Sequence, residues 1–387
     1  MGMQQHPNIA VATLLANSLK VRHTFPNMSQ LENLMRPHMA KITGYDAVDP
    51  SEELARKAGI RPQDVIRLNA NENPYGAIAE ISESLTALDL HLYPDSQQRK
   101  FRAALSEYTG RPEENIIGGA GADEIIDLLM RLFVEQGQKV IDCEPTFGMY
   151  AFSANLAGAE IVSVPRNSSW DIDIPAMREA IDESTRIVFL ASPNNPTGNL
   201  LTESDARALL DTGIAVCVDE TYHEFASSTL SPLLDEYENL VILRSFSKWA
   251  GIAGLRVGYA IASVNVVQHL MDIKQPYNIT IAGEAAVLAA LKHKDVLLSR
   301  VSSLVEQRKR LELEIDELDG ISYYPSRGNF LLCHFDRRTA AEAYVGLAEH
   351  GIFVRRFPQS ILDNSLRISA GTPEQTDRVI SALRTVV

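Results

Sequence analysis

One lysine of ten stands where an amine could act as a nucleophile. Lys248 follows the apolar run LVILRSF (240–246) and precedes the small-residue turn Ala250-Gly251-Ile252-Ala253-Gly254. An amine at a strand end among apolar and small residues loses hydration, which lowers its pKa and makes it a nucleophile for a Schiff base. Taken alone, Lys248 reads better as a solvated lysine after an edge strand, so its neighbours decide the matter. Ser245 and Ser247 place hydroxyls on either side of Phe246, and Arg256 brings a planar fork suited to phosphate. With the backbone of Ala122 and Asp123, at a strand-to-helix turn rich in glycine, these groups could form one anion cup. Asp219 ends the apolar run IAVCVDE (214–220), where a carboxylate is costly unless a cation such as a protonated pyridine nitrogen pairs with it. Tyr222 and Asn195 could each reach a phenolic oxygen, and Phe147 could stack on a ring face. Amine, pyridine partner, phenol partners, phosphate cup and stacking ring are the parts that hold pyridoxal phosphate.

The elements that must position these groups are legible from periodicity. From Asn115 onward, short β-branched runs alternate with helical stretches of about ten residues, the pattern of βαβ units and a mainly parallel sheet. Ligands of such sheets bind beyond the carboxyl ends of the strands. The strand ends here read GGAGAD, CEPTF, SPNNPTG, VDETY and RSFSK. Near residue 279 the pattern changes to a long helical stretch running to about Leu318, then to strands and helices of a smaller α+β domain. The expected class is therefore α/β, a large domain whose mainly parallel sheet is flanked by helices, plus a smaller α+β domain. Residues 1–68 form an N-terminal extension and arm that contributes to the small domain, 69–278 the large domain and 279–387 the small one.

Composition narrows the function. The chain has 387 residues, with 36 basic and 50 acidic side chains for a net charge of −14. An acidic balance argues against a broad nucleic-acid surface, which needs clustered Lys and Arg. A local group of arginines can still bind an anion. Met1–Lys20 lacks the basic start and unbroken apolar core of a secretory signal, and no apolar run approaches the ~18 residues of a membrane span. Cys143, Cys217 and Cys333 each sit in a strand-like apolar run and read as buried, reduced thiols of a cytoplasmic protein. Other motifs fail. Glu124 stands where a dinucleotide fingerprint needs its third glycine, and no Gly-Lys-Ser/Thr follows the glycine run. His223-Glu224 has Ser227 where a zinc-protease helix needs its second histidine, so no metal is expected. Ser245-x-x-Lys248 lacks the Lys-Thr-Gly that a penicillin-recognising serine enzyme requires.

Ten segments in order now carry a resemblance: LNANENPYG, LYPD, GAGADE, EPTFGMY, SPNNPTG, VDETYHEF, RSFSKWAGIAGLRVGY, GNFLL, VRRF and LRISAG, from about Leu68 to the C-terminus. The chain resembles the class I/II, fold type I, pyridoxal-phosphate aminotransferases, and within them the histidinol-phosphate branch. The resemblance implies that Lys248 bonds the cofactor aldehyde and moves the proton at the substrate α-carbon. It implies that Asp219 holds the pyridine nitrogen protonated, with Tyr222 and Asn195 on the ring oxygen and Phe147 on the ring face. Ala122, Asp123, Ser245, Ser247 and Arg256 are expected to take the cofactor phosphate. Tyr75 is expected to reach the phosphate of a neighbouring subunit's cofactor, which makes a homodimer with shared sites necessary. Arg367 corresponds to the arginine that pairs with an amino donor's α-carboxylate and helps bind a substrate phosphate, and Arg355 to a second arginine for that phosphate. The reaction so implied is histidinol phosphate plus 2-oxoglutarate to imidazole acetol phosphate plus glutamate. A broad aromatic aminotransferase and an O-phosphothreonine decarboxylase share the motifs. A regulator built on such a domain would carry a basic DNA-binding segment in front, and the N-terminal part shows no cluster of Lys and Arg.

Two departures from that pattern stand out. His38 follows Arg36-Pro37 where the family usually has a tyrosine that helps bind the partner subunit's substrate. The arm also carries an inserted-looking stretch, Ile42–Pro50. His38 could contact a phosphate directly, or Tyr45 could replace the missing phenol. Some thirty residues before the arm hold no readable motif. Arg356 reads as a surface residue, His223 and His334 as ordinary polar residues near strands, and Tyr323–Tyr324 as core packing.

Overall fold

Runs rich in β-branched residues become strands and 3.6-periodic segments become helices, so the alternation along the sequence is the alternation built. The computed structural model describes residues 33–357 and 360–387, and the motif-free extension up to residue 32 lies outside them. The strands are β1 (Ile66–Leu68), β2 (Ile116–Gly119), β3 (Lys139–Asp142), β4 (Glu160–Ser163), β5 (Thr185–Ala191), β6 (Ala215–Asp219), β7 (Leu240–Ser245), β8 (Gly258–Ala262), β9 (Ile321–Tyr324), β10 (Phe330–Phe335), β11 (Ile352–Arg356) and β12 (Ser365–Ser369). The chain parts into two compact units. Among the described residues, one comprises 72–305 and 325–329, and the other 33–71, 306–324 and 330–387. The boundaries suggested by the change in pattern are 68/69 and 278/279; the division lies a few residues past the first and, beyond the second, falls inside the helix Lys294–Asp316. Helix Ile281–Lys292 belongs to the larger unit because it packs on helices Ala79–Ser84 and Arg99–Thr109.

The larger unit holds a seven-stranded sheet in the order β2-β8-β7-β6-β5-β3-β4. Strands β7, β6, β5, β3 and β4 run parallel, and β8 is antiparallel to both β2 and β7. Every residue of β6 and β7 is buried, in keeping with their apolar runs 215–218 and 240–243, as in parallel sheets covered by helices on both faces. Ile117, Leu129, Phe189, Cys217, Val241 and Ala260 belong to this core. Each fully buried Leu, Ile, Val or Phe contributes roughly 1.5–3 kcal/mol.

The smaller unit carries a five-stranded sheet, β1-β11-β12-β10-β9, in which β1 from the N-terminal part pairs parallel to β11. Leu68, Leu331, Phe335, Leu347, Ile352, Leu366 and Leu383 form its core. Its two last helices start at capping boxes, Thr339 with Glu342 and Thr372 with Gln375, which satisfy first-turn N–H groups that have no partner within the helix. The helical stretch expected from residue 279 to about Leu318 is two helices, Ile281–Lys292 and Lys294–Asp316, because His293 leaves helical backbone geometry at φ −112° and ψ 27°. The three cysteines are buried and unpaired. No described helix is long and apolar enough to cross a membrane.

Candidate active site

The carboxyl ends of β5, β6 and β7 lie side by side, with Ala191 opposite Asp219 and Asp219 opposite Leu243. Asn195, Tyr222 and Lys248 follow those three ends within four residues, and Phe147 follows the end of β3. Adjacent parallel strands therefore deliver the sequence-predicted groups to one edge of the sheet.

The anion cup is assembled by glycines. Gly119, Gly258 and Ser245 stand abreast on β2, β8 and β7. A Cβ on Gly258 would come within 2.6 Å of the Ala122 nitrogen, so only glycine lets the Gly119–Ala122 turn lie against the sheet. Gly121, at φ +81°, starts the helix Ala122–Phe133, and its own missing Cβ leaves room for Arg256, whose Nη2 would otherwise sit 2.7 Å away. Arg256 Nη2 donates to Asp123 Oδ2 at 2.7 Å. The Ser245 hydroxyl donates to Ser247 Oγ at 3.0 Å and accepts from the Ser247 N–H at 3.1 Å. The N-terminal N–H groups of a helix, two hydroxyls and a guanidinium thus converge on one small region, which suits a phosphate.

Asp219 is 4% exposed. Its Oδ2 accepts from the Tyr150 hydroxyl at 2.7 Å and its Oδ1 from the Thr221 N–H at 2.9 Å. Both donors are neutral. Burial pushes this carboxyl up, against the pull of those hydrogen bonds. A buried carboxylate served by neutral donors gains from a cationic partner, so the site fits a protonated ring nitrogen here. Tyr222 is buried, while Lys248, Asn195 and Phe147 are half-buried. In sequence Lys248 lies between Phe246 and Trp249, both fully buried, and the Trp249 carbonyl accepts from Asn73 Nδ2 at 3.1 Å. Gly251 lets this loop press on the NENPYG segment, since a Cβ there would meet the Gly76 carbonyl oxygen at 2.5 Å. In that segment Tyr75 lies under the Arg300 guanidinium, 5.8 Å from ring centre to carbon.

In the smaller unit, Arg355 and Arg367 face each other across β11 and β12. Arg367 is 6% exposed, and its Nη2 donates to the Asn69 carbonyl at 2.6 Å. Both guanidiniums lie about 6 Å from the Phe357 ring. Arg355 also pairs with Asp46 of the inserted-looking stretch, Nη2 to Oδ2 at 3.2 Å. Arg356, read as a surface residue, is half-buried, and His38 is half-buried at the start of a short 3-10 turn, Met39–Lys41.

Three features escaped the sequence reading. Asn194 ties the Ser192–Gly198 turn to the Phe147 segment, donating from Nδ2 to the Pro145 carbonyl at 2.9 Å and accepting the Thr146 hydroxyl at 2.8 Å. Glu220 and Arg244 form a buried ion pair between β6 and β7, each one residue from a predicted site group. Opposite charges at the ends of neighbouring apolar strands were a readable signal for it. Tyr150 comes one helical turn after Phe147 in the same motif, yet only packing shows that it reaches Asp219.

Known proteins resemble this chain over most of its length. A model of the family described as aminotransferase class I and II matches residues 63–383. A histidinol-phosphate aminotransferase of Roseiflexus castenholzii is 43% identical, over 92% of this chain and 99% of that protein. A chloroplastic histidinol-phosphate aminotransferase of Arabidopsis thaliana is 40% identical, over 92% of this chain and 87% of its own. The crystal structure of the Sinorhizobium meliloti histidinol-phosphate aminotransferase, solved in complex with pyridoxal-5'-phosphate, superposes with a TM-score of 0.82 at 26% identity, covering 91% of this chain and 97% of that one. Motifs, sheet and family model agree over most of the length, and the chain belongs to the class I and II aminotransferases.

Proposed function

We propose that this chain is a pyridoxal-phosphate enzyme that transfers the amino group of histidinol phosphate to 2-oxoglutarate, giving imidazole acetol phosphate and glutamate. The observation that carries the reading is identity of 40–43% to histidinol-phosphate aminotransferases over more than nine-tenths of this chain. The two opposed arginines of the smaller unit support it, because both substrates are anions.

Bound, pyridoxal phosphate supplies an aldehyde that receives the amino group and a ring that withdraws electrons from the substrate α-carbon. Lys248 would hold that aldehyde, and its Nζ would take the substrate α-carbon proton and return it. Asp219 would keep the ring nitrogen protonated. Tyr222 and Asn195 would hydrogen-bond the ring oxygen, and Phe147 would stack on the ring. Ala122, Asp123, Ser245, Ser247 and Arg256 would hold the phosphate. Arg367 binds the glutamate α-carboxylate or the substrate phosphate, and Arg355 exchanges Asp46 for that phosphate. Tyr75 serves the neighbouring subunit in a homodimer, and His38 or Tyr45 takes the place of the family's arm tyrosine. The enzyme works in the cytoplasm, where its three unpaired thiols stay reduced.

Specificity constants measured side by side for histidinol phosphate, phenylalanine, tyrosine and O-phosphothreonine test this. A clear preference for histidinol phosphate is expected, without release of carbon dioxide. Equal use of phenylalanine or tyrosine would identify a broad aromatic aminotransferase instead. Carbon dioxide from O-phosphothreonine would identify a decarboxylase.

A further inference from the structure

We infer that Tyr150 is a positioning residue for the cofactor, acting through Asp219 and Phe147. The inference rests on the proposed use of pyridoxal phosphate. Tyr150 is fully buried, and its hydroxyl lies 2.7 Å from Asp219 Oδ2. Its ring is pinned between two aromatics. It stacks on Phe189 with centroids 5.1 Å apart and 15° between planes, and it meets Phe147 edge-on at 5.6 Å and 84°. One side chain therefore touches both the carboxylate that faces the ring nitrogen and the aromatic that covers the ring.

The direction of the hydrogen bond is determined by chemistry. Burial and the neighbouring Asp219 hold the phenol far above its ordinary pKa, so Tyr150 remains the donor throughout the working range. Donation favours the charged form of Asp219, against the burial that disfavours it. The Thr221 N–H fixes the other carboxylate oxygen. With both oxygens tethered, the carboxylate cannot swivel, and its remaining lone pairs keep one direction for a ring N–H. Phe189 on β5 gives the phenol a rigid backing, so the tether does not drift.

The test is a double-mutant cycle read as cofactor affinity. Pyridoxal phosphate binding to the cofactor-free protein is followed by quenching of tryptophan fluorescence, with Trp249 next to Lys248 as the reporter. Tyr150→Phe keeps the ring and removes only the hydroxyl. It is expected to raise the Kd roughly tenfold, in line with loss of a hydrogen bond to a charged group. In an Asp219→Asn background the same change should move the Kd less than twofold, because the charge it serves is gone. Tyr150→His, whose ring nitrogen can donate, should recover part of the affinity. In turnover, Tyr150→Phe should lower kcat while leaving the KM for the amino donor within twofold.

A purely structural role gives a different pattern: a lower melting temperature of the cofactor-free protein, with the same change in Kd in both backgrounds. That pattern, or an unchanged Kd in Tyr150→Phe, overturns the inference while leaving the enzyme assignment intact. Failure of the wild-type protein to bind pyridoxal phosphate would overturn both.

Discussion

Removing the Glu220 carboxylate should unfold the larger unit far more readily than removing both members of its ion pair. Glu220 is 1% exposed and the Arg244 side chain 6%. Arg244 reaches Glu220 Oε2 from Nε at 3.0 Å and from Nη2 at 2.9 Å, and Glu220 also accepts from the Thr229 hydroxyl and the Leu230 N–H. Burial alone would pull Arg244 toward its neutral form, but Tyr259 and Glu220 outweigh it, so the guanidinium stays charged. In Glu220→Ala that charge is stranded in the core, at a cost of about 3–5 kcal/mol. The orphaned Leu230 N–H adds about 1 kcal/mol. For a unit of this size, where 1 kcal/mol moves Tm by about 2–4 °C, the cofactor-free variant should melt roughly 8–24 °C lower. Replacing both residues by methionine leaves no stranded charge and should return stability to within about 2 kcal/mol of wild type. Differential scanning calorimetry of the single and double variants at neutral pH provides the comparison. A fall below about 1 kcal/mol in Glu220→Ala would refute the reasoning, and so would a double variant as unstable as the single one. The pair joins the ends of β6 and β7 beside Asp219 and Ser245, so its loss should also weaken pyridoxal phosphate binding.

Three further outcomes are expected. Lys248→Ala should abolish turnover and the visible absorbance of the bound cofactor while leaving the fold intact, and normal turnover would remove Lys248 from its role. Gly258→Ala pushes a Cβ into the Ala122 backbone and should raise the cofactor Kd at least tenfold by absorbance titration, with an unchanged Kd counting against the cup. Asp142 is pushed up to about 7, first by burial and then by Glu144. In the unfolded chain it ionises near its ordinary value, so between about pH 4 and 7 the native state holds the extra proton and stability falls as pH rises. Asp142→Asn removes this loss, and its advantage over wild type should grow by about 2–3 kcal/mol from pH 5 to pH 8 in thermal melts. A constant difference across that range would show that Asp142 does not titrate there.

Much of the candidate site was legible before any fold. The groups that follow the strand ends, Phe147, Asn195, Tyr222 and Lys248, announce themselves by type and by the apolar runs before them, since hydrophobic period and turn chemistry are local properties. The glycine at 121 and the serines at 245 and 247 are equally local, because a tight turn and a pair of hydroxyls need only short spacing. The small domain's helices are likewise marked by their own capping residues.

What the sequence by itself determined, then, is the inventory: the residue types, the strand and helix order, and the family motifs. Tertiary packing decided which members of that inventory touch. Tyr150 meets Asp219 across 69 residues, and Asn194 meets Thr146 across 48. The three residues of β1 carry almost no strand signal of their own and are strands because β11 offers an open edge to pair with. Asp46 lands on Arg355 although nothing near it in sequence points there. The physical reason is the range of the interactions. Periodicity and caps act within about one turn of chain, whereas a buried hydrogen bond or ion pair depends on side chains brought together only when the core closes.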